Sequence, residues 1–218
     1  MKVIFNRTWV GNYIGTEETT LCQLDSYNKT RYSRRKKQEG LLELASREAH
    51  EKQEVYFATI LNDDGSPYCA IESNAGYFGL DFLRDNYDNY LLYDYREYSG
   101  KLFLETILLY ECYPGTNEKM RRIDFMYTHQ GGCSSVIYQG EMIKGTYEEI
   151  TAEHPPISKE ELEKLWVDYP MFGEYDQLIR LDRIPLLARE RILEYTDKEF
   201  PAFREYLQRD IECYQKTK

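Results

Sequence analysis

The chain has 218 residues, 42% of them hydrophobic, with 28 Lys and Arg against 38 Asp and Glu, for a formal net charge of −10. That apolar content, with 21 Tyr and nine Phe, excludes a disordered class and suffices for a sizeable core. The acidity argues against general nucleic-acid binding, since phosphate contacts require a positive surface.

The first region, residues 1–53, opens on KVIFNRTWVGNYIG, whose β-branched and aromatic residues predict a strand. Asn6 and Arg7 interrupt the apolar run too early for a secretory leader. WVGNY at 9–13 resembles the start of lipocalin-like barrels over five residues. After a polar stretch, SRRKKQEGLLELASREAHEKQ reads as a helix, with Leu41, Leu44, Ala45 and Glu48 at three- and four-residue steps.

The middle region, about 54–150, reads as a run of antiparallel strands. EVYFATIL and PYCAIES flank DDGSP, a hairpin-turn signal, and are followed by GYFGLDF, NYLLYDYREY and KLFLETILLYECY. MRRIDFMYT and SSVIYQGEM then lie either side of Gly131–Gly132, and Ile123, Phe125 and Tyr127 alternate with Arg122, Asp124 and Met126, as on a sheet with one face buried. The last region, about 157–218, reads as helical. Ser158 with Glu161 forms a capping box, RIPLLARERILEYT supplies a second helix, and Phe200, Phe203, Tyr206, Leu207 and Ile211 form the stripe of a third. The expectation is one α+β domain spanning 1–218: a central antiparallel meander, open or curled, with an N-terminal helix and a C-terminal helical segment.

Residues 54–156 carry seventeen acidic and seven basic side chains, so the acidity is concentrated in the strands. Within them, DFLRDNYDNYLLYDYREYSG interleaves five tyrosines with five carboxylates. On a strand Tyr93 and Tyr95 share one face, while Leu92, Asp94 and Arg96 share the other. Tyrosine gives stiff, amphipathic contact area and is enriched at binding hot spots. The segment therefore offers a candidate partner-binding face, with Asp85, Asp88, Asp94 and Glu97 answering cationic groups and Tyr87, Tyr90, Tyr93 and Tyr95 as anchors. The competing reading makes these tyrosines half-buried strand residues and the acids solubilising.

Catalytic and metal chemistry finds little support. The three histidines, His50, His129 and His154, lie in no paired-ligand spacing, and no phosphate-binding loop or HExxH pattern occurs. No metal and no cofactor is expected. His129 four residues before Cys133 could form an activated thiol pair, but the intervening glycines favour a hairpin turn. His154, ahead of Pro155–Pro156, reads as an exposed linker. Glu105 and Glu111 stand about 20 Å apart along a strand, too far for a carboxylate pair. Five scattered cysteines suit a reducing compartment, and no apolar run reaches the roughly 20 residues of a membrane span.

These features together resemble, in general character, an immunity-type inhibitor: a cytoplasmic protein with an acidic, tyrosine-bearing face that occludes the active site of a basic toxin or nuclease. The alternative is a small-molecule-binding protein or enzyme with a pocket in a curved sheet. The only basic run, RRKK at 34–37, could also dock on the acidic sheet of a second copy, giving a homo-oligomer.

Overall fold

The computed structural model describes residues 1–35, 38–84, 88–112, 119–141 and 146–199. The chain groups into two compact units, Met1–Glu97 with Pro170–Tyr175, and Tyr98–Tyr169 with Asp176–Lys218. The expected α+β class is what the structure has: an antiparallel meander with helices before and after it.

In the first unit β1 (Lys2–Ile4) is followed by β2 (Thr8–Trp9) and β3 (Tyr13–Ile14), so the single N-terminal strand read from the sequence is three short ones. Gly11, at φ 72°, turns the chain between β2 and β3, which among the described residues pair only with each other. WVGNY is thus a two-stranded hairpin and not the first strand of a barrel.

The polar stretch that follows is helical. α1 (Glu17–Asn28) has Thr16 as N-cap, accepting from the Thr19 amide, and two glutamates in its first turn, which favours a helix start. The side chain of Asn28 grips the sheet backbone, donating to the Val55 carbonyl at 2.7 Å and accepting from the Val55 amide at 3.0 Å. α2 (Leu41–Glu51) begins only after Gly40, whose φ of 75° cannot continue the helix expected from Ser33. Its Leu41, Leu42, Ala45 and Ala49 are buried, the stripe of an amphipathic helix.

β1 pairs with β4 (Tyr56–Leu61), and β5 (Pro67–Asn74), β6 (Tyr77–Leu83) and β7 (Asn89–Tyr98) follow in chain order. The DDGSP turn forms as expected, with Gly65 at φ 87° and the Asn62 amide donating to the Ser66 carbonyl at 2.8 Å. One sheet face is the core: Tyr56, Ile60, Ile71, Phe78, Leu80, Phe82, Leu91, Tyr93 and Tyr95 are each at most 2% exposed. The segment Pro170–Tyr175 closes over it. Phe172 stacks on Phe5 at 4.4 Å and lies edge-on to His50, while the Tyr175 hydroxyl donates to that of Tyr56 at 3.2 Å.

In the second unit β8 (Lys101–Cys112), β9 (Lys119–Tyr127), β10 (Cys133–Glu141) and β11 (Thr146–His154) pair in order. Ile123, Phe125 and Tyr127 are buried, as their alternation predicts. The capping box at Ser158 and Glu161 opens α3 (Lys159–Leu165). β12 (Trp166–Asp168) then pairs with the beginning of β8, and α4 (Leu186–Glu199) follows. Glu161 ties the two helix starts together, one oxygen holding Ser158 and the other accepting from the Leu186 amide at 2.8 Å. Arg183, only 8% exposed, donates to the Lys164, Trp166 and Gln177 carbonyls. It supplies the donors that the end of α3 lacks. The third expected helix, with its stripe from Phe200 to Ile211, lies outside the described residues.

Candidate functional site

The structure redistributes the residues of the tyrosine-rich segment. The alternation on β7 holds, with Tyr93 and Tyr95 facing one way and Leu92, Asp94 and Arg96 the other. The buried side, however, is that of Tyr93 and Tyr95, both 0% exposed, and Tyr90, at the irregularity where the register with β6 shifts, is itself only 3% exposed. Tyr93 packs edge-on against Phe82 at 4.8 Å and against Tyr95 at 6.2 Å. These three are core residues of the chain itself, and their role as exposed anchors is corrected accordingly: a ring with no solvent-facing area cannot meet a partner without unfolding its strand. Asp85 and Tyr87 lie outside the described residues.

The acids of the segment have local work. Asp94 is half-buried and accepts a hydrogen bond from the Tyr77 hydroxyl. Burial, then this bond to a carboxylate, pushes the Tyr77 phenol well above its ordinary range. Gly79 makes room for that ring, since a Cβ there would stand 2.8 Å from the Tyr77 hydroxyl. Glu97 packs on Gly76, its amide donating to the Gly76 carbonyl at 2.7 Å. Asp88 is half-buried at the start of the segment.

A tyrosine-and-acid surface occurs instead on β10 and β11. Register places Tyr138 opposite Glu149 and Ser134 opposite Glu153, so Tyr138, Tyr147, Glu149 and Glu153 share the face opposite Cys133 and Ser135. Tyr138 and Tyr147 meet edge-on at 5.5 Å, and Tyr147 is 47% exposed. The Arg122 guanidinium, forked onto Asp124 at 2.6 and 2.5 Å, lies 5.1 Å from the Tyr138 ring centre. β11 is the outer strand, pairing only with β10 among the described residues. Its sequence TYEEITAEH holds three glutamates and no Lys or Arg, and Ile150 is 45% exposed. The sequence reading ended the strands at SSVIYQGEM. It missed β11 because charge interrupts the apolar alternation there, although Tyr147, Glu149, Thr151 and Glu153 keep the period of two.

His154 is the half-buried last residue of β11 and not an exposed linker; its Nε2 lies 2.8 Å from Ser135 Oγ. Ser135 is 5% exposed, and this part-buried histidine–serine contact ties β10 to β11. The Cys133 thiol is buried, and burial followed by the charges of Glu153 and Glu161 pushes it up, away from a reactive thiolate. His129 sits in the exposed turn, next to Gln130 and 5.4 Å from the Tyr98 ring, and Gly131 takes φ 92°. The turn reading of THQGGCSS is the one the geometry matches.

Glu105 accepts from the Tyr98 hydroxyl, and Glu111, 1% exposed, pairs with Arg121 and with Arg191 of α4. The two carboxylates therefore hold separate structural contacts. Among the described residues no group of three His, Cys, Asp or Glu is placed to hold a metal ion, and no helix is long and apolar enough to cross a membrane.

Searches against protein-family models, curated proteins and solved structures give no match.

Proposed function

We propose that this chain is a protein-binding inhibitor of the immunity type, which takes a basic toxin or nuclease as its partner and blocks it by occlusion. The observation that carries the reading is the outer strand β11. It offers a backbone edge that is unpaired among the described residues, glutamates at 148, 149 and 153 with no basic side chain on the strand, and the Tyr138–Tyr147 pair on the adjoining face. An open edge accepts an added strand through main-chain hydrogen bonds, while flanking side chains select what is added. The charge selects a segment rich in Lys and Arg and raises its rate of encounter. Tyr147 and Ile150 supply exposed apolar contact area. The occupant is thus an extended basic segment of the partner, laid along β11. Cys22, Cys69 and Cys133 are free thiols, which supports a reducing compartment such as the cytoplasm as the place of action.

The test uses the purified chain and a variant carrying Glu148→Gln, Glu149→Gln and Glu153→Gln. Both serve as bait at about 50 and about 200 mM salt, the range over which charge-driven binding weakens most visibly. The expected result is a basic protein whose capture falls with salt and with the triple substitution, and whose own activity drops on stoichiometric addition of the wild-type chain. A partner captured equally well by the triple variant, or one whose activity is unchanged in the complex, refutes the reading.

A further inference from the structure

Side chains on paired strands line up in rows across a sheet, and the rows of the second unit end at β11. On the face of Cys133 and Ser135, one row runs Leu109, Ile123, Ile137 and Ile150, each opposite the next from β8 to β11. Leu109 is 0% and Ile123 3% exposed, whereas Ile150 at the rim is 45% exposed. This apolar ladder stops at a residue with no strand beyond it among the described residues. The next row on the same face runs Glu111, Arg121, Gln139 and Glu148, in which Glu111 pairs with Arg121 and Glu148 is exposed.

On the opposite face Tyr110, Arg122, Tyr138 and Glu149 make a third row. Cations lie against its rings, with Lys119 Nζ 3.7 Å from the Tyr110 ring centre and the Arg122 guanidinium 5.1 Å from that of Tyr138. The row ends on Glu149, which is exposed, as is Glu153 farther along the same face. The rim thus presents acid, acid, aliphatic, two uncharged positions and acid, in the order Glu148 to Glu153.

We infer that β11 selects the sequence of the strand it accepts as well as its charge: an antiparallel segment reading basic–x–x–aliphatic–basic–basic from its N-terminus. This rests on the reading of β11 as the docking edge. The aliphatic residue stands opposite Ile150 and continues the apolar row. The two basic residues after it stand opposite Glu149 and Glu148, one on each face, and the first basic residue stands opposite Glu153. Residues directly opposite on antiparallel strands have Cβ atoms about 4.5–5.5 Å apart, so each of these pairs is a contact. A strand with basic residues only at alternate positions answers Glu148 or Glu149 and not both. A slip of one residue carries every added side chain to the other face and sets the aliphatic group beside Thr151 or Glu149. The direction follows from the sheet, since β8 to β11 pair antiparallel throughout and that ladder is the more stable per residue.

The experiment is an NMR titration of the full chain with three capped heptapeptides of one composition, following the amides of Tyr147 to His154. KTTIKKT carries the pattern, KTITKKT moves its isoleucine by one place, and TKKITTK is the first peptide reversed. KTTIKKT is expected to shift these amides saturably, with a dissociation constant on the order of 1 mM, and the other two to bind about tenfold more weakly. Ile150→Thr should abolish the preference for KTTIKKT over KTITKKT while binding stays salt-dependent. In Glu149→Lys the peptide KTTIEKT should bind more tightly than KTTIKKT, because opposite charges face each other again. Equal binding of all three peptides to the wild-type chain overturns the register and leaves β11 an edge that selects by charge alone. Tighter binding of the reversed peptide overturns the antiparallel direction. No shift with any of the three removes β11 as the docking edge, and with it the reading on which the pattern rests.

Discussion

Replacing Tyr93 by alanine tests whether the tyrosines of β7 are core or surface. Tyr93 is 0% exposed, with edge-on contacts to Phe82 at 4.8 Å and Tyr95 at 6.2 Å. Removing a fully buried aromatic ring costs about 3–5 kcal/mol, within which each aromatic pair accounts for about 0.5–1.5 kcal/mol. We take about 4 kcal/mol for Tyr93→Ala, a large share of the 5–15 kcal/mol that a folded domain typically has. With a urea slope of about 2 kcal/mol per molar, the unfolding midpoint should fall by about 2 M. Tyr147→Ala is the matched control. That ring is 47% exposed, and its loss should change stability by less than about 0.5 kcal/mol while weakening capture of a basic partner. Urea denaturation followed by circular dichroism reads both variants. Equal midpoints for Tyr93→Ala and Tyr147→Ala would refute the assignment of β7 to the core.

Three further outcomes are expected. Glu111→Gln leaves Arg121 and Arg191 without their shared carboxylate, and breaking a buried pair on one side should destabilise the chain by about 3–5 kcal/mol in urea; a loss under 1 kcal/mol would show that solvent compensates there. His50 is held below its ordinary value of 6.5, chiefly by burial and also by Arg47, against the opposing charge of Glu51. It accepts or donates at Nδ1 with the Tyr56 hydroxyl at 3.0 Å. A depressed histidine pKa means that the unfolded chain takes up its proton first, so stability should be unaffected above about pH 7 and fall as the pH drops below about 6.5. His50→Phe should lose that part of the pH dependence in denaturation midpoints between pH 7.5 and 5.5, and an identical slope in both proteins would count against it. Asp25 gathers the Thr30 and Ser33 hydroxyls and the Tyr32 and Ser33 amides. Burial raises its pKa, but these bonds outweigh that and lower it. Asp25→Ala should therefore cost about 1–3 kcal/mol at neutral pH, and the cost should vanish at a pH low enough to protonate the carboxylate.

Much of the architecture was legible because local signals agreed. Ser158 and Glu161 mark a capped helix start, DDGSP marks a hairpin, and Ile123, Phe125 and Tyr127 mark one buried strand face; all three are present. The failures have distinct causes. α1 has few apolar positions, with Leu21, Leu24 and Thr20 buried, so periodicity did not reveal it, although Thr16 and the Glu17–Glu18 pair are a helix-start signal. β11 carries glutamates at 148, 149 and 153, and no strand was read there. The tyrosines misled for another reason. An aromatic ring with a polar tip is at home both in a core and at an interface, and sequence alternation says which residues share a face without saying which face is wet. Only the packing of Phe78, Phe82 and Leu91 beside Tyr93 settles that.

The composition of β11 also bears on what can add to it. An edge strand this exposed would pair with its own copy unless something opposed it. Two copies laid antiparallel about Ile150 would bring Glu149 opposite Thr151, Glu148 opposite Ala152, and Glu153 opposite Tyr147. That duplex would collect six glutamates and no Lys or Arg, and like charges on neighbouring strands repel. Shifting the register by two leaves the total charge unchanged. The glutamates therefore disfavour homo-association through this edge at low salt, and the same repulsion becomes attraction for a strand bearing Lys or Arg. If they served only to keep the edge unpaired, any charge of one sign would do, and replacing all three with lysine should leave the chain's behaviour toward a basic partner as it was. If they select the partner, Glu148→Lys, Glu149→Lys and Glu153→Lys together should keep the chain monomeric by sedimentation yet eliminate capture at low salt. Monomeric chains that still capture the basic partner would leave β11 a protected edge and nothing more.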